Sequence, residues 1–242
     1  MSGRLRVREI HRYPVKSMLG ERLDSVEVED RGVVGDRWWA VREAGGRFAS
    51  GKDSRRFHRM DAVFECRATL GKDGVPEVAL PDGSRMPVTD PAAGPRLSTL
   101  FGEPVELVRE GQTRRPGMGV VQHFDAAPVS LVGTATLRAT GQLVGDDEPL
   151  DPRRFRANFV VETDEPYAED GWVGRMLTVG EVQLHVTEQI ERCRTVDVQQ
   201  GDVPRHGRIL KALGETRDLM LAVYAEPVVT GTVAVGDAIT LR

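Results

Sequence analysis

The sequence predicts a mainly β protein with short helices, an α+β chain made of two β-barrel-like units. Short segments in which polar and apolar residues alternate dominate the first half, as in strands with one buried face. Gly and Asp separate these segments, and a stretch rich in Arg, Pro and Gly at 111–119 is the best linker candidate. We therefore expect one unit over residues 1–110 and a second over 111–242.

In the first half, the pattern predicts strands that are joined by tight turns. The clearest strand is 25–29, where polar and apolar residues alternate without exception. The turns at 72–74 and 81–83 each contain an Asp-Gly pair, which is typical of hairpins. Further strands are predicted at 5–8, 37–41, 63–67 and 105–108.

The second half mixes helices with strands. A short helix is predicted at 133–143 with Thr134 as its N-cap, because a threonine hydroxyl can accept from free backbone N–H groups. Ile209, Leu210 and Leu213 have helical spacing and predict a second helix at 206–213. Strands are predicted at 159–161, 182–186, 219–224 and 233–241, the last bent at 235–237.

The composition argues against several classes of protein. A chain of 242 residues can bury a substantial core, and its net charge of -4 argues against a nucleic-acid binder driven by overall charge. A run of about 18 apolar residues, the length of a membrane span, does not occur. The first residues have no apolar signal core, so a reducing cytoplasm is the expected location.

Two cysteines, Cys66 and Cys193, are too few for a disulfide framework or for a zinc or iron–sulfur site built by this chain. Cys66 lies in a strand pattern and is expected to be buried. Cys193 is flanked by Arg192 and Arg194, and neighbouring positive charge favours a reactive thiolate. In a strand the two arginines would face away from the thiol, whereas in a loop all three would converge. A small buried hydrophobe is the alternative role for Cys193.

A second group of polar residues follows the first predicted strand. Pro14 is not compatible with the interior of a regular strand, so Lys16 and Ser17 are expected at a strand end. An ammonium group beside a hydroxyl can hold a phosphate or a carbonyl oxygen there. A solvated loop lysine is the alternative.

A third group alternates along the chain at Arg154, Arg156 and Asn158. In an extended backbone these side chains share one face, which would be either exposed surface or the wall of an anion pocket. Arg37 adds another guanidinium at a predicted strand start. The motifs of dinucleotide-binding, phosphate-loop, zinc-protease and serine-hydrolase sites do not occur in the sequence. The five histidines are scattered, and a Cys193–His dyad stays open.

In this order and spacing, the polar clusters resemble the MOSC family, which is named for the C-terminal domain of molybdenum cofactor sulfurase. The chain is most similar to the subgroup with an N-terminal β-barrel domain, which includes the amidoxime-reducing components. The matching segments lie at 13–17, 35–39, 125–128, 154–161, 192–197 and 231–237. The resemblance implies a MOSC N-terminal β-barrel-like domain at 1–110 and a MOSC domain at 111–242.

The resemblance also implies a molybdenum cofactor, in which a molybdopterin carries a dithiolene and a phosphate. Cys193 would be the catalytic residue and the thiolate ligand of the metal, which fits the sulfur-rich surroundings of a dithiolene. The implied cofactor-binding residues are Lys16, Ser17, Arg37, Arg156, Asn158 and Arg192.

The implied activity is an oxidoreductase that reduces small N-hydroxylated compounds. Two cysteines cannot build an iron–sulfur cluster, so the electrons would come from a separate ferredoxin, flavoprotein or cytochrome. One alternative is a carrier of the cofactor, or of sulfur as a persulfide on Cys193, without turnover. Another is a β-barrel protein without a cofactor, in which Cys193 is core. We expect neither a nucleic-acid nor a membrane partner.

Overall fold

The computed structural model describes residues 5–111, 114–115, 119–120 and 122–242, with the backbone alone at 114–115 and 119–120. In the first half, the strands are β1 Arg6–Arg12, β2 Glu21–Leu23, β3 Ser25–Glu29, β4 Gly32–Val33, β5 Trp39–Glu43, β6 Phe48–Ser50, β7 Phe57–Arg59, β8 Arg67–Leu70, β9 Pro76–Ala79, β10 Arg85–Pro87 and β11 Val105–Arg109. In the second half they are β12 Arg114–Arg115, β13 Gly119–Val120, β14 Val129–Gly133, β15 Phe159–Glu162, β16 Met176–Val179, β17 Val182–Glu191, β18 Met220–Val229, β19 Gly231–Ala234 and β20 Ile239–Leu241.

Helices are few and short. The α-helices are α1 Ala93–Phe101, α2 Thr134–Val144 and α3 Ile209–Arg217. Short 3-10 helices cover Asp61–Glu65, Pro152–Phe155, Ala168–Trp172 and Arg194–Asp197. The predicted fold class, mainly β with short helices, is confirmed.

The largest sheet joins the two ends of the chain. Its eight strands follow the order β2-β1-β15-β14-β18-β17-β16-β20 and form a half-barrel. The β14–β15 pair is parallel, and the other neighbours are antiparallel. A second sheet, β19-β3-β4, again pairs early strands with a late one.

One apolar core lies between these two sheets. It includes Val26 and Val28 from the alternating strand β3, Ile10 from β1 and Phe159 from β15. Their burial explains the sequence pattern, because each strand turns every second side chain toward the core. A separate cluster, with Leu137 and Leu213, packs α2 and α3 against other side chains of the half-barrel.

The remaining strands of the first half form two smaller sheets. One has the order β11-β5-β6-β7 and the other β10-β9-β8. They share a core with α1 in which Phe64, Met18 and Leu97 are buried. The predicted turns at 72–74 and 81–83 join β8 to β9 and β9 to β10, as expected.

The strand predicted at 63–67 is wrong. Asp61–Glu65 is a 3-10 helix, and the strand β8 begins only at Arg67. Val63, Phe64 and Cys66 all enter the same core, which a turn permits and an alternating strand does not. The strand predicted at 37–41 begins two residues late, at Trp39, because Arg37 has a left-handed backbone with φ of 54°.

The extended backbone considered for 154–158 is also wrong. Pro152–Phe155 is a 3-10 helix whose N-cap Asp151 accepts from the Arg153 amide, and Arg156 then turns left-handed with φ of 54°. The helix predicted at 133–143 forms as α2, but Gly133 takes the N-cap position and Thr134 is the first helical residue. The helix predicted at 206–213 forms as α3, but it begins three residues later, at Ile209, and ends four residues later, at Arg217.

The predicted linker at 111–119 lies partly outside the described residues. Two short parts of the region, β12 and β13, pair as an antiparallel hairpin. The boundary after residue 110 stays a prediction, and it does not separate two sheets, because β1 pairs with β15 and β3 pairs with β19. Of the helices in the described ranges, none combines the length and apolar character that crossing a membrane requires.

Candidate functional site

The predicted site residues meet in one pocket between the two halves of the chain. Six of them line it: Lys16, Ser17, Arg37, Arg156, Arg192 and Cys193. Four further lining residues, Lys52, Asp125, Arg154 and Tyr224, add two cations, one carboxylate and a phenol. We call this the cationic pocket, since Lys and Arg outnumber acidic groups on its wall.

Cys193 sits at the end of the long strand β17, where the chain passes into the 3-10 helix Arg194–Asp197. The side chain is partly exposed, unlike the fully buried Cys66. Its Sγ lies 3.3 Å from Thr195 Oγ1. The thiol therefore lies on the pocket wall with a hydroxyl beside it. Of the two backbone geometries considered for Cys193, strand and loop, the structure has the loop.

The two arginines that flank Cys193 separate. Arg192 is buried and donates from Nε to the Leu221 carbonyl at 2.8 Å and from Nη1 to the Phe155 carbonyl at 3.0 Å. Arg194 instead reaches Asp61, with Nη1 2.6 Å from Oδ1. Only Arg192 is part of the pocket wall.

Arg194 fixes the cysteine loop to the first half of the chain. Besides its ion pair with Asp61, it donates to the Gly51 carbonyl at 3.1 Å. Gly51 packs so closely on Thr195 that an added Cβ would lie 2.5 Å from Thr195 Oγ1. The position of the thiol thus depends on contacts with the segment that follows β6.

Lys16 is another residue of the pocket wall. Its Nζ donates to Asp125 Oδ1 at 2.6 Å and lies 4.7 Å from the centre of the Phe57 ring. Burial lowers the pKa of Lys16 to about 8, although the charge of Asp125 opposes the change. Burial acts against ionisation of Asp125 as well, but the charges of Lys16 and Lys52 hold its pKa far below the usual range.

Three of the pocket residues have a left-handed backbone. The φ angles are 68° at Ser17, 54° at Arg37 and 54° at Arg156. For residues with a Cβ this conformation costs roughly 1–2 kcal/mol, and such strain is concentrated at functional sites. Ser17 donates from its hydroxyl to the Ala49 carbonyl at 2.9 Å, which anchors the turn.

Arg37 and Arg156 both stack on the Tyr13 ring, and a hydrogen bond joins them. Their guanidinium carbons lie 5.2 and 4.2 Å from its centre, and Arg37 Nη2 donates to the Arg156 carbonyl at 2.9 Å. Arg37 also pairs with Asp36. Burial alone would lower the pKa of Arg37, but the Asp36 carboxylate raises it.

Two buried guanidinium nitrogens face no acceptor. Arg156 Nη2 donates to the Met18 carbonyl at 2.8 Å, but Arg156 Nη1 has no hydrogen-bond partner among the described residues. Arg192 Nη2 also lacks a partner in the described part of the chain. Burial lowers the pKa of each group to about 10. Each of these two nitrogens can therefore donate a hydrogen bond to an anion without breaking an existing hydrogen bond.

Asn158 lies behind the pocket wall. It is fully buried; its Oδ1 accepts from the Ser130 amide at 3.1 Å, and its Nδ2 donates to the His11 carbonyl at 3.3 Å. These bonds connect β1 to β14. Arg154, its neighbour in the sequence motif, lines the pocket but gives its Nη2 to the Pro204 carbonyl at 2.7 Å.

Sequence reasoning did not select Lys52, Asp125, Thr195 or Tyr224. Asp125 belongs to a segment that matches the family pattern, and this was the one signal that could have found it. Lys52 and Tyr224 come from segments with no motif of their own. No group of three or more His, Cys, Asp or Glu side chains suited to a metal occurs within the described ranges.

The chain matches two family models that follow one another. The MOSC domain matches residues 118–240, and the MOSC N-terminal beta barrel domain matches residues 4–99. Together the two models account for most of the sequence. The N-terminal beta barrel domain contributes Lys16, Ser17 and Arg37 to the pocket.

Similar proteins were found by sequence and by fold. The chain is 34% identical over 117 residues to the molybdenum cofactor sulfurase of Danio rerio, which covers 47% of this chain and 13% of that protein. It is 22% identical over 256 residues to the molybdenum cofactor sulfurase of Homo sapiens, covering 88% of this chain and 28% of that protein. The chain thus spans less than a third of either relative.

The crystal structure of the YuaD protein from Bacillus subtilis has the same fold. The match has a TM-score of 0.55 and 13% identity, and it covers 100% of this chain and 98% of that chain.

Proposed function

We propose, from the premise that this chain belongs to the MOSC domain family, that it binds a molybdenum cofactor in the cationic pocket and reduces N-hydroxylated compounds. The observation that carries the proposal is the meeting of one partly exposed thiol with two guanidinium groups that each have one buried nitrogen without an acceptor among the described residues. The MOSC domain supplies Cys193, Arg156 and Arg192, and the N-terminal domain supplies Lys16 and Arg37.

The residues present fit the anionic part of such a cofactor. Arg156 Nη1 and Arg192 Nη2 are buried donors without acceptors among the described residues, which is a costly arrangement unless a ligand accepts from them. A phosphate offers several acceptor oxygens, and guanidinium groups bind phosphate well. Lys16 and Ser17, which line the same pocket, would also hold the anion.

Cys193 fits the metal. A thiolate is a soft ligand, suited to a metal centre already bound by dithiolene sulfur. When bound, the cofactor would supply two-electron chemistry that removes an oxygen atom from nitrogen. Arg192 behind the thiol and Thr195 beside it would hold the Cys193 side chain in place.

The overall reaction needs protons as well as electrons. An N–OH group, two electrons and two protons give N–H and water. Lys16 Nζ, with a pKa of about 8, holds a proton at neutral pH and can release it in the pocket that Cys193 also lines. Asp125 remains a carboxylate and keeps the Lys16 ammonium in position.

The electron donor in this proposal is a separate acidic redox protein. Segment 52–59 has four Lys or Arg residues and one Asp, although the whole chain carries -4. Lys52 lines the pocket, Arg55 and Arg59 are exposed, and the segment leads on to Asp61 and Arg194 beside the cysteine loop. Positive charge at the pocket mouth would guide an acidic partner to the site.

The decisive experiment begins with protein purified from a host that makes the cofactor. Molybdenum is measured by elemental analysis and the pterin by its fluorescence after acid oxidation, for the wild type and for Cys193→Ala. Reduction of benzamidoxime by reduced viologen is then followed. We expect molybdenum and pterin in comparable amounts, and turnover only with Cys193 present. Wild-type protein without either component, from a host shown to make both, would overturn the proposal.

A sulfur carrier is the second candidate, favoured by the partly exposed thiol and by the likeness to a part of molybdenum cofactor sulfurase. Cys193 would then hold a persulfide without turnover. Treatment with cyanide would release thiocyanate from the wild type but not from Cys193→Ala. A cyanide-labile sulfur without viologen-driven reduction would favour the carrier.

A further inference from the structure

Helix α3 begins without a capping side chain of its own. The residue at its N-cap position, Arg208, makes no side-chain hydrogen bond to the first turn. The free N–H groups of a first turn need acceptors, and these usually come from the side chain of the N-cap residue. In α3 the acceptor comes instead from the cysteine loop, the 3-10 helix Arg194–Asp197 that follows Cys193.

Asp197 supplies this cap with both carboxylate oxygens. Its Oδ1 accepts from the amides of Gly207 at 3.0 Å and Ile209 at 2.9 Å, and its Oδ2 accepts from the amide of Leu210 at 3.1 Å. The Asp197 carbonyl also accepts from the His206 amide at 3.1 Å. The partial positive charge of a helix N-terminus further favours a carboxylate there. Four hydrogen bonds therefore fasten the last residue of the cysteine loop to the start of α3.

The other end of α3 leads to the residue before the thiol. The chain leaves α3 through Asp218 and Leu219, which both have a left-handed backbone, with φ of 49° and 68°. The Leu219 carbonyl then accepts from the Arg192 amide at 2.8 Å, and the Leu221 carbonyl accepts from Arg192 Nε at 2.8 Å. Helix α3 thus connects the segment that binds Arg192 with the segment that binds the cysteine loop.

Apolar packing supports this connection. Val196 of the cysteine loop is 2% exposed and shares a core with Ile209 and Leu213 of α3, which are fully buried. In a close-packed interior, the loop and the helix cannot separate without opening a void. Apolar contacts are not directional, however, so the orientation of the loop depends on the hydrogen bonds of Asp197.

We infer that Asp197 is a positioning residue for Cys193. Its carboxylate fastens the cysteine loop to α3, and the loop sets where the thiol stands on the wall of the cationic pocket. Thr195, whose hydroxyl oxygen lies 3.3 Å from Cys193 Sγ, belongs to the fastened loop. The inference concerns the ligand-free protein, so it holds whether Cys193 binds a metal or carries a persulfide.

Asp197→Ala and Asp197→Asn test this inference, because both remove the negative charge but only alanine removes the cap. Asparagine caps helices about as well as aspartate. Hydrogen exchange, measured by NMR, follows the amides of Val196 and Val198, which donate within the cysteine loop to the carbonyls of Cys193 and Thr195. Loss of the cap in Asp197→Ala should speed their exchange roughly 2- to 30-fold, with Asp197→Asn close to the wild type.

The thiol itself is followed by its reaction with N-ethylmaleimide, with the Cys193 peptide measured by mass spectrometry. The reaction should be severalfold faster in Asp197→Ala than in Asp197→Asn, because a loosened loop exposes more of the thiol. The matched control is Asp90→Ala, which removes a carboxylate that accepts from the Ala92 amide at 2.8 Å, just before α1. Exchange in the cysteine loop and the thiol reaction should stay at the wild-type rates in this control.

Four results would overturn the inference. Equal rates in Asp197→Ala and Asp197→Asn would show that charge acts rather than the cap. Unchanged exchange in Asp197→Ala would show that packing alone holds the loop. Faster exchange with an unchanged thiol reaction would separate the loop from the position of Cys193. The same effect in Asp90→Ala would reduce the result to a general loss of stability.

Discussion

Replacing Arg156 with methionine separates two roles of one side chain, because cofactor affinity should fall while the stability of the ligand-free protein stays close to that of the wild type. Burial lowers the pKa of Arg156 to about 10 in the protein without ligand. Compared with an ordinary guanidinium, this corresponds to an unfavourable free energy on the order of 3 kcal/mol for the charged group, since one pKa unit equals about 1.4 kcal/mol. The side chain retains some solvent contact, so this figure is an upper bound.

Part of that penalty is offset by contacts that methionine would lose. Loss of the bond from Arg156 Nη2 leaves the buried Met18 carbonyl without this donor and costs about 1–3 kcal/mol, and loss of the stacking on Tyr13 costs about 0.5–1 kcal/mol. We therefore expect the ligand-free Arg156→Met protein to have a free energy of unfolding within about 1 kcal/mol of the wild type.

Binding of the anionic cofactor should weaken in the same variant. A charged hydrogen bond contributes about 1.5–3 kcal/mol, so the loss of Arg156 Nη1 should reduce affinity roughly 10- to 150-fold. Urea unfolding of the ligand-free protein gives the stability, and molybdenum content at limiting cofactor gives the occupancy.

Arg154→Met is the matched control. Arg154 lines the same pocket, but its guanidinium donates to the carbonyls of Pro204 and Val196. Its removal leaves buried acceptors unsatisfied and should lower stability by about 1–3 kcal/mol, with the smaller effect on occupancy. Unchanged occupancy in Arg156→Met, or a loss of stability like that of Arg154→Met, would refute this reasoning.

Four further predictions concern a lysine, the two thiols, the electron donor and the positive segment 52–59. Lys16 loses its charge in the folded protein as pH rises through about 8, so sulfate affinity should fall there. Because unfolded lysine keeps its proton up to about pH 10.4, stability of the anion-free protein should rise between these values, and Lys16→Met should flatten both profiles. Iodoacetamide followed by mass spectrometry should label Cys193 before Cys66, since Cys66 is fully buried and its pKa is raised to about 12; faster labelling of Cys66 would contradict its place in the core. Benzamidoxime reduction should require reduced viologen or a redox protein rather than NADH. Arg55→Glu should raise the KM for an acidic ferredoxin severalfold at low salt without changing viologen-driven turnover. The control Arg85→Glu, at another exposed arginine, should leave the KM for ferredoxin unchanged. An equal effect of both substitutions would argue against docking at this segment.

Strand prediction succeeded where polar and apolar residues alternate because one face of the strand is buried. In β3, Val26 and Val28 enter the core while Glu27 and Glu29 face solvent, and the predicted and observed bounds agree. It failed at 63–67 and 154–158, because a 3-10 turn also brings selected side chains to one side. Local periodicity cannot distinguish these cases when the deciding contacts, such as that of Phe64 with the core, lie far away in sequence.

Part of the candidate site could also be predicted from the sequence. Cys193 and Arg192 stand out in the sequence, and the structure places both on the wall of the cationic pocket. Asp125 and Lys52 reach that wall from separate loops, and their role arises only from their distance to Lys16 or to each other. The structural role of Asn158, whose amide donates to a carbonyl of β1, could not be predicted either. An amide in a sequence motif does not reveal whether it faces a ligand or a neighbouring strand.

The pairing of β3 with β19 sets an order of events during synthesis. Val26 lies opposite Val233, so about two hundred residues must be translated before β3 finds this partner. At roughly 5–20 residues per second, the early strand waits about 10–40 s. Glu27 and Glu29 flank its apolar positions, and charged residues on an unpaired edge discourage pairing with another nascent chain. The acidic residues of β3 thus protect the nascent chain before its sheet is complete.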